Sequence, residues 1–525
     1  MKFLTDTMRI FITMACYMLV VIGIGLYFAK RAQKNSENYF LGGRGLGPWV
    51  AAMSAEASDM SGWLLMGLPG VAYWLGLADA FWTALGLAVG TYVNWLIVAK
   101  RLRQYSAVSG DAITIPDFLS NRFHEKKKVI LAISALFILV FFSVYASSCF
   151  VTCGKLFSTL FGFDYHPMMI IGAIFVILYT ALGGFLAESA SDFMQAVVMI
   201  FALVAVLVCG TIYAGGIDAV IDNAKSIPGY LSLTHLANPT VDANGVQQIA
   251  ENAPVFGEAK SYGGLLTIIS TMSWGLGYFG VPQVLLRFMA IRKTSELKSS
   301  RRIATIWVFI SLAAAVCIGL LGRAMFPTEA ELLTKSGAEN VFIVIAQTLF
   351  HPIVAGIIMA GILAATISSS DSYLLIATSA VSKNIYEGII KKDATDKQVM
   401  IVSRIVIVLI SLFGIILAWD EKSVIFQIVS FAWAGFGATF GPIMLFSLFW
   451  KKTTRTAAVA GMLSGAACVF LFKLVLSKLG GIFAIYELFP AFVISCIVIY
   501  VVSLCSKAPS QEILDEFELA KNYKD

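Results

Sequence analysis

Residues 54–70, with the sequence SAEASDMSGWLLMGLPG, combine carboxylates, hydroxyls and glycines within an otherwise apolar stretch. Glu56 and Asp59 are three residues apart, so they would share one face of an intact helix. A charged side chain at the centre of a bilayer costs at least about 2.5–3.5 kcal/mol and therefore needs a partner, a cavity or a function. The alternative to a functional role is a structural ion pair or helix cap. We therefore treat this segment as a candidate site with unresolved chemistry.

A second polar cluster has the sequence TISSSDSYLL at residues 366–375. Ser368, Asp371 and Ser372 lie at i, i+3 and i+4 and would share a helix face, with Ser369 beside them. Hydroxyl oxygens, one carboxylate and free carbonyls suit a hard monovalent cation. The alternative is hydrogen bonding of the hydroxyls to their own helix or to a neighbouring helix, which we favour for Ser370 and Ser372.

Two further acidic residues lie in the segment ESASDFMQA, at residues 188–196. Asp192 falls near the start of an apolar run, so we include it among the candidate functional carboxylates. Glu188 falls close enough to a predicted helix end to reach the membrane interface. We therefore expect Glu188 to be solvated there.

Glycine and proline interrupt two of the apolar segments. The sequence GWLLMGLPG follows the first acidic stretch, and SWGLGYFGVP occupies residues 273–282. Gly costs about 1 kcal/mol and Pro about 3 kcal/mol in a helix interior, so both clusters predict unwound backbone. Such backbone is tolerated at membrane depth only where it is buried in protein or lines a cavity. The alternative is close helix packing at small residues.

The elements that must position these residues are membrane helices. The chain has 525 residues, of which 58% are hydrophobic and 13% are charged, whereas ordinary soluble domains carry about 25% charged residues. Runs of roughly 17–25 apolar residues predict spans. We expect an all-α membrane protein with thirteen transmembrane helices near 8–29, 47–73, 77–99, 128–160, 168–184, 190–215, 262–290, 303–324, 352–382, 400–418, 424–447, 456–477 and 482–505.

Lys and Arg concentrate in alternate loops, mainly 30–46, 100–128, 291–302, 383–399 and 448–455. The positive-inside rule places these loops in the cytoplasm, the N-terminus outside and the C-terminus inside. The net charge of +6 is thereby explained without nucleic acid. The eight cysteines include no C-x-x-C, so we expect buried packing rather than a disulfide or a metal.

The two interrupted spans are the second and the seventh, five helices apart. This spacing predicts two five-helix units of opposite topology, and paired interruptions of this kind indicate a transporter's binding site. The predicted organisation is a first helix and cytoplasmic loop, a first repeat, an extracellular loop, a second repeat, two peripheral helices and a cytoplasmic tail, at 1–46, 47–215, 216–261, 262–447, 448–505 and 506–525.

Five motifs resemble the sodium:solute symporter family, in particular its bacterial proline-transporting members. They are LGGR at 41–44, ASDMSGWLLMGLPG at 57–70, WGLGYFGVPQVLLRFMA at 274–290, FAWAGFGATFGP at 431–442 and KAPS at 507–510. The resemblance implies a LeuT-like fold with an inverted 5+5 repeat core and alternating access. It also implies a bacterial cell-membrane location and co-transport of Na+ with proline.

The resemblance also implies site residues. The sodium site would use backbone carbonyls of Ala57, Met60 and Ala365 and hydroxyls of Ser368 and Ser369, with Asp59 organising or ligating. The substrate site would include Ser61, Gly62, Tyr145, Trp274, Tyr278, Pro282 and Ser372. A possible second sodium site would use Asp192, Asp371 and Ser372.

Departures from the family pattern leave alternatives open. Glu56 stands where related carriers have a small residue, which keeps proton coupling open, and Asp371 and Ser372 replace less acidic or thiol-bearing positions. Another amino acid, a carboxylate or a sialic acid-like solute therefore remains an alternative to proline. A channel is less favoured because no ring of like residues or repeated filter is found. We expect no enzymatic activity and no obligatory protein partner; a sensor is less favoured because the tail is short.

Overall fold

The computed structural model describes residues 2–32 and 36–523, and helices account for most of them. Long runs of apolar residues that satisfy their backbone hydrogen bonds internally explain this architecture. The helices of the first half are α1 (Lys2–Ala32), α2 (Ser36–Leu41), α3 (Pro48–Asp59), α4 (Leu68–Leu75), α5 (Leu77–Val93), α6 (Ala99–Val108), α7 (Ile115–Arg122), α8 (Val129–Phe161) and α9 (Tyr165–Tyr213).

The second half continues in the same manner, with turns of π-helix extending some helices, as at Ala380–Ile390. Its helices are α10 (Ile217–Ser226), α11 (Leu265–Met272), α12 (Pro282–Ala290), α13 (Leu297–Met325), α14 (Val341–Leu349), α15 (Pro352–Ser379), α16 (Asp396–Leu417), α17 (Ile425–Phe449), α18 (Arg455–Leu474), α19 (Leu488–Cys505) and α20 (Gln511–Asn522).

Within the described part of the chain, ten helices are long and apolar enough to cross a membrane. Shorter apolar helices occur at Trp63–Leu75, Tyr165–Ala181, Leu265–Phe279 and Gly337–Leu349. The expected all-α polytopic class is confirmed, while the count of thirteen spans stays a prediction. The helix at 337–349 was not predicted because its apolar run is too short for a span.

The predicted break between the fifth and sixth spans is present, but it is a kink and not a loop. Instead of ending near residue 184 and restarting near 190, α9 runs from Tyr165 to Tyr213 with a kink at Gly184, where φ is 63° and ψ is 176°. This backbone geometry favours glycine because a side chain would be strained at that φ. Glu188 therefore lies inside the helical run and is 3% exposed; it is not at the interface.

The predicted extracellular loop 216–261 is structured. It contains α10 and two short antiparallel pairs, β1 (His235–Leu236) with β4 (Lys260–Ser261) and β2 (Ile249–Ala250) with β3 (Ala253–Pro254). Backbone hydrogen bonds fasten it to the end of α4: Leu77 N–H donates to Tyr230 O over 2.8 Å, and Ala237 N–H donates to Leu75 O over 3.0 Å. The loop is thus attached to the second half of the first interrupted helix and to the start of α5.

Helix α15 lies at the centre of the packing. It contacts α1, α8, α9 and α3, and every residue from Ile358 to Ser379 is buried. A helix that is buried on all sides can present polar groups to its neighbours but not to lipid. The serine-rich segment of α15 therefore faces other helices on every side.

Candidate functional site

The first interruption lies between α3 and α4, as the Gly and Pro cluster predicts. Helix α3 ends at Asp59, and Met60 leaves the helical region with φ −83° and ψ 74°. Ser61 N–H then donates to the carbonyl oxygen of Asp59 over 3.0 Å, and helical turns resume at Gly62 and Trp63. The break frees backbone groups at the end of α3 from their usual helical partners.

The second interruption lies between α11 and α12, again as predicted. Residues Ser273–Phe279 form a tighter 3₁₀ helix, Val281 is extended with φ −74° and ψ 116°, and Pro282 is the first residue of α12. Proline is well suited to a first helical position because it lacks the N–H that would be unpaired there. Pro282 therefore starts the second half of this interrupted helix.

The serines of α15 meet the end of α3 directly. The Ser368 hydroxyl donates to the carbonyl oxygens of Ala57, at 2.8 Å, and Ala365, at 3.2 Å, while the Ser369 hydroxyl donates to Ala57 O at 3.2 Å. All four residues are fully buried. Four of the five predicted sodium ligands are therefore gathered in one place, and Met60, the fifth, lies at the adjoining break.

Asp59 connects this place to two tyrosines of the predicted substrate pocket. Its carboxylate Oδ2 accepts a hydrogen bond from Tyr278 Oη at 2.8 Å, and its backbone oxygen accepts from Tyr145 Oη at 3.4 Å and from Trp63 Nε1 at 3.0 Å. The other carboxylate oxygen, Oδ1, is buried with no partner among the described residues. One acidic residue thus touches both predicted sites.

Aromatic side chains enclose the region next to the break. The Trp274 ring lies 6.1 Å from that of Trp63, 5.3 Å from that of Phe426 and 5.3 Å from that of Tyr486, on which it stacks. Such rings provide a wall for a small apolar ring or chain. The Ser61 hydroxyl beside them is buried and has no partner in the described part of the chain.

Gly62 is fixed by close packing against α8. A Cβ at this position would lie 2.3 Å from Oγ1 of Thr152 and 2.6 Å from its Cγ2. Both distances are below van der Waals contact, so only glycine fits without a shift. Gly62 therefore sets how closely the broken helix approaches α8, which also carries Tyr145.

The structure separates Ser372 from the aromatic pocket. Its hydroxyl bonds to the carboxylate of Glu188 and to Ser368 O, 3.0 Å away. It also accepts from Arg287 Nη2 at 2.9 Å. Ser372 thus belongs to a charged group of side chains one helical turn further along α15 than Ser368, and not to the aromatic pocket.

This group, which we call the Arg287 cluster, consists of Arg287, Glu188, Asp192, Ser54 and Ser372. The Arg287 side chain is completely buried and its Nη2 donates to the carboxylate of Glu188 and to Asp192 Oδ2 at 3.2 Å. Its Nε donates to Ser54 Oγ at 3.0 Å, and Ser54 in turn donates to Asp192 Oδ2 at 2.7 Å. One guanidinium therefore ties α3, α9, α12 and α15 together.

The cluster bears on the predicted second sodium site. Two of its three predicted ligands, Asp192 and Ser372, already contact the Arg287 cation. The third, Asp371, accepts from Thr180 Oγ1 at 2.6 Å, and its other oxygen has no partner among the described residues. The three residues lie in one region, but a fixed positive charge stands among them.

Arg287 and Glu188 were missed by sequence reasoning. Arg287 lies within the quoted motif VLLRFMA, where an arginine in an apolar run was itself a signal for a buried anionic partner.

Glu56 and Asp59 have different partners although they are three residues apart. Glu56 Oε1 accepts from Trp95 Nε1 at 3.2 Å, and Oε2 is buried without a partner in the described chain. Glu56 is 1% exposed. Its carboxyl group therefore bonds to the helical turn that follows α5, whereas Tyr278 bonds to Asp59.

On the other side of the aromatic pocket, a second buried ion pair joins Lys155 of α8 to Glu339. Lys155 Nζ lies 2.6 Å from Glu339 Oε2. The two oxygens of Glu339 also accept the backbone N–H groups of Ile425 and Phe426, each at 3.0 Å, so Glu339 caps α17. Because Phe426 packs on Trp274, this pair adjoins the pocket.

Comparison with known proteins gives consistent results. A family model described as the sodium:solute symporter family matches residues 39–465. Sodium/proline symporters of Staphylococcus aureus, such as that of strain USA300, are 41% identical over 505 residues, covering 95% of this chain and 93% of the relative.

Solved structures share the fold. A Na+-coupled sialic acid symporter in a substrate-bound outward-open state has a TM-score of 0.74 at 19% identity, covering 96% of this chain and 99% of that one. Mhp1, a nucleobase-cation-symport-1 family transporter, has a TM-score of 0.51 at 14% identity, covering 93% and 100%. The expected LeuT-like fold class is thereby confirmed.

Proposed function

Because the chain belongs to the sodium:solute symporter family, we propose that it imports L-proline together with sodium by alternating access. The substrate is proposed from the similarity to sodium/proline symporters over 95% of the chain. The observation that carries the ion coupling is the contact between the broken end of α3 and the serine pair of α15. This contact places oxygen atoms of two helices in one buried location.

Sodium would bind to the carbonyl oxygens of Ala57, Met60 and Ala365 and to the hydroxyls of Ser368 and Ser369. Oxygen ligands without sulfur or imidazole suit this cation. Because the ligands come from α3 and α15, the ion would hold these two helices in one arrangement. Asp59, whose Oδ1 lacks a described partner, would supply the negative charge that compensates the ion.

Proline would bind at the break between α3 and α4. Its carboxylate would meet the Ser61 hydroxyl and the N–H groups freed at the start of the next helical turn, since helix N-termini attract anions. Its apolar ring would lie against Trp274 and Tyr278. The hydrogen bond between Tyr278 and Asp59 links this pocket to the ion, so binding of each ligand would strengthen binding of the other by the same factor.

The driving force is sufficient for strong accumulation. A membrane potential of about 100 mV contributes roughly 2.3 kcal/mol per charge, and a tenfold sodium gradient adds about 1.4 kcal/mol. The sum of about 3.7 kcal/mol corresponds to several-hundred-fold accumulation of a neutral solute per sodium ion. One sodium ion per proline is therefore enough for uptake.

We favour one sodium ion per proline over two. A sodium ion at Asp192 and Ser372 would have to bind beside the Arg287 guanidinium, which already contacts both. Release of sodium and proline to the cytoplasm would require the helices tied by the Arg287 cluster to separate. The cluster would thus act as the inner gate.

The proposed location is a bacterial cell membrane, with the N-terminus outside and the C-terminus in the cytoplasm. The loop charges support this orientation. No chemical conversion of the solute is proposed, and neither nucleic acid nor an obligatory protein partner is needed for the cycle.

Uptake of labelled proline into proteoliposomes, with sodium, lithium and proton gradients imposed separately, tests the proposal. We expect uptake driven by an inward sodium gradient and enhanced by an inside-negative potential. Uptake driven by a proton gradient in sodium-free buffer would overturn sodium coupling and would favour the buried carboxyl groups, Glu56 among them, over the serine pair as the coupling site. Absence of proline uptake under every gradient would show that the solute is a different one.

A further inference from the structure

A cleft lies between the tail and the start of α18. It has a volume of about 410 Å³, and its lining includes Lys126, Arg455, Lys507 and Ser510. Lys126 precedes α8, Arg455 is the first residue of α18, and Lys507 follows α19. Three cations from distant parts of the sequence therefore meet at one opening.

The positive charge in this cleft is not neutralised by the protein. Lys126, Arg455 and Lys507 are exposed, and no ion pair is described for any of them. The acidic tail residue Glu512 also lines the cleft, but it brings one negative charge against three positive ones. A net positive charge thus remains for an outside ligand.

Hydrogen-bond donors accompany the charge. Ser510 precedes α20 but makes no side-chain cap bond to it, so its hydroxyl and the first N–H groups of this helix are available. A phosphate group accepts hydrogen bonds from such donors in addition to attracting cations. The donor set therefore fits a phosphate better than a simple halide.

The cleft adjoins a surface suited to lipid chains. On α19, Ile497 is 56% exposed, Val501 48% and Leu504 56%, and Leu504 is only three residues before Lys507. Nearby, the rings of Trp450 and Tyr500 stack at 5.3 Å. Trp and Tyr favour the membrane–water interface, so the cleft lies at headgroup depth.

We propose that this cleft binds the phosphate group of an anionic phospholipid, with its acyl chains along α19. A basic side chain near a membrane surface strengthens binding of anionic lipid about fivefold, so three together give about 100-fold. The predicted cytoplasmic position of the cleft matches the leaflet where positive loops gather. The site is independent of the proposed proline transport.

Native mass spectrometry of the full chain tests the proposal, with phosphatidylglycerol or phosphatidylcholine added to delipidated protein. We expect phosphatidylglycerol to bind at least tenfold more tightly than phosphatidylcholine. A triple variant should bind one phosphatidylglycerol molecule fewer with this preference; its substitutions are Lys126→Gln, Arg455→Gln and Lys507→Gln. The matched control is Lys298→Gln, Arg302→Gln, Lys392→Gln, which removes three exposed cations from other predicted cytoplasmic segments.

Equal loss of phosphatidylglycerol binding in both triple variants would overturn the proposal. It would show that binding depends on the net charge of the protein and not on this cleft. Equal binding of the two lipids by the wild-type chain would overturn it as well. Displacement of the bound lipid by millimolar inorganic phosphate or glycerol phosphate would indicate a soluble anion as the ligand and contradict the lipid assignment. Thermal unfolding of each variant in detergent shows whether it is folded, and each of the single substitutions provides a milder version of the same comparison.

Discussion

The hydroxyl of Ser368 donates a hydrogen bond to the backbone oxygen of Ala57, 2.8 Å away and 311 residues earlier in the chain. The bond joins α15 to the broken end of α3 in a location that is completely buried. A backbone carbonyl that is free to accept a side-chain hydroxyl is also free to bind a cation. Substitution of Ser368 is therefore the most direct test of the proposed sodium site.

Removal of this hydroxyl should weaken sodium binding. Ser368→Ala takes away one proposed ligand while leaving the helix intact, and loss of even an outer-shell partner of a metal site commonly lowers metal affinity by about 10–100-fold. We expect the sodium concentration for half-maximal proline uptake to rise at least tenfold. Uptake measured over a range of sodium concentrations checks this expectation.

Ser370→Ala is the matched control, because among the described residues the Ser370 hydroxyl donates only to its own helix, at Thr366 O (2.7 Å) and Ile367 O (3.1 Å). It should leave the sodium dependence within about twofold, since such bonds contribute little. A control variant as defective as Ser368→Ala would contradict a specific role for Ser368.

Two aspartates should differ in their effect on sodium dependence. Asp59→Asn removes the charge next to the proposed ion, whereas Asp371 lies with Thr180, 2.6 Å away. We therefore expect Asp59→Asn to raise the half-maximal sodium concentration more than Asp371→Asn does. Both variants are compared by sodium-dependent uptake at a fixed proline concentration. The reverse ranking would place the main ion site at Asp371 and not at Asp59.

Any side chain at Gly62 should disturb the break. The added methyl of Gly62→Ala would lie 2.3 Å from Thr152 Oγ1, and overpacking of this kind costs about 1–3 kcal/mol. We expect a lower Tm and at least a tenfold drop in uptake. Adding Thr152→Ala should restore part of both, because it removes the two nearest atoms.

Gly23→Ala serves as the control for this substitution, since nothing lies within 4 Å of its added methyl. It should be neutral or slightly stabilising, as Ala favours helix over Gly by about 1 kcal/mol. If Thr152→Ala fails to improve Gly62→Ala at all, the defect lies in backbone conformation and not in the contact with α8.

Removal of Arg287 alone should lower the Tm more than removal of both Arg287 and its partner Glu188. Arg287→Gln leaves Glu188 and Asp192 buried without their cation, and an unpaired buried charge costs about 3–5 kcal/mol. The double variant Arg287→Gln, Glu188→Gln removes one charge of each sign and should recover part of the lost Tm. Thermal unfolding in detergent measures both.

Arg292→Gln tests whether the effect is specific to a buried arginine. Arg292 pairs with Glu296, four residues later, at the surface, where its side chain is 55% exposed, and exposed pairs contribute about 0–1 kcal/mol. Its Tm should stay close to that of the wild type. A double variant at Arg287 and Glu188 that is no more stable than Arg287→Gln would argue against pairing as the main role of the cluster.

The two helix interruptions could be predicted because they depend on local chemistry. Gly and Pro disfavour helix wherever they occur in an apolar segment, so Gly62 and Pro282 indicated the breaks without knowledge of their neighbours. The meeting of Ser368 with Ala57 could be expected only from the family resemblance. Nothing local to either segment specifies that they are adjacent.

The Arg287 cluster could not be predicted from residue type and span length alone. Glu188 was assigned to the interface because a turn was expected at 185–189, whereas Gly184 bends the chain without ending the helical run. The burial of a charge depends on which helices pack around it, and that is a property of the tertiary structure. For the same reason, the contact of Glu339 with the start of α17 was not visible in the sequence.

As the proposed inner gate, the Arg287 cluster would also make the transport cycle depend on temperature. Opening this gate would transfer a guanidinium and carboxylates from protein into water, and the hydration of charged groups carries a strongly negative entropy. Warming therefore makes hydration of these groups less favourable and shifts the balance toward the closed gate. Over the range in which the chain stays folded, warming would therefore lower the fraction of molecules in which this gate is open.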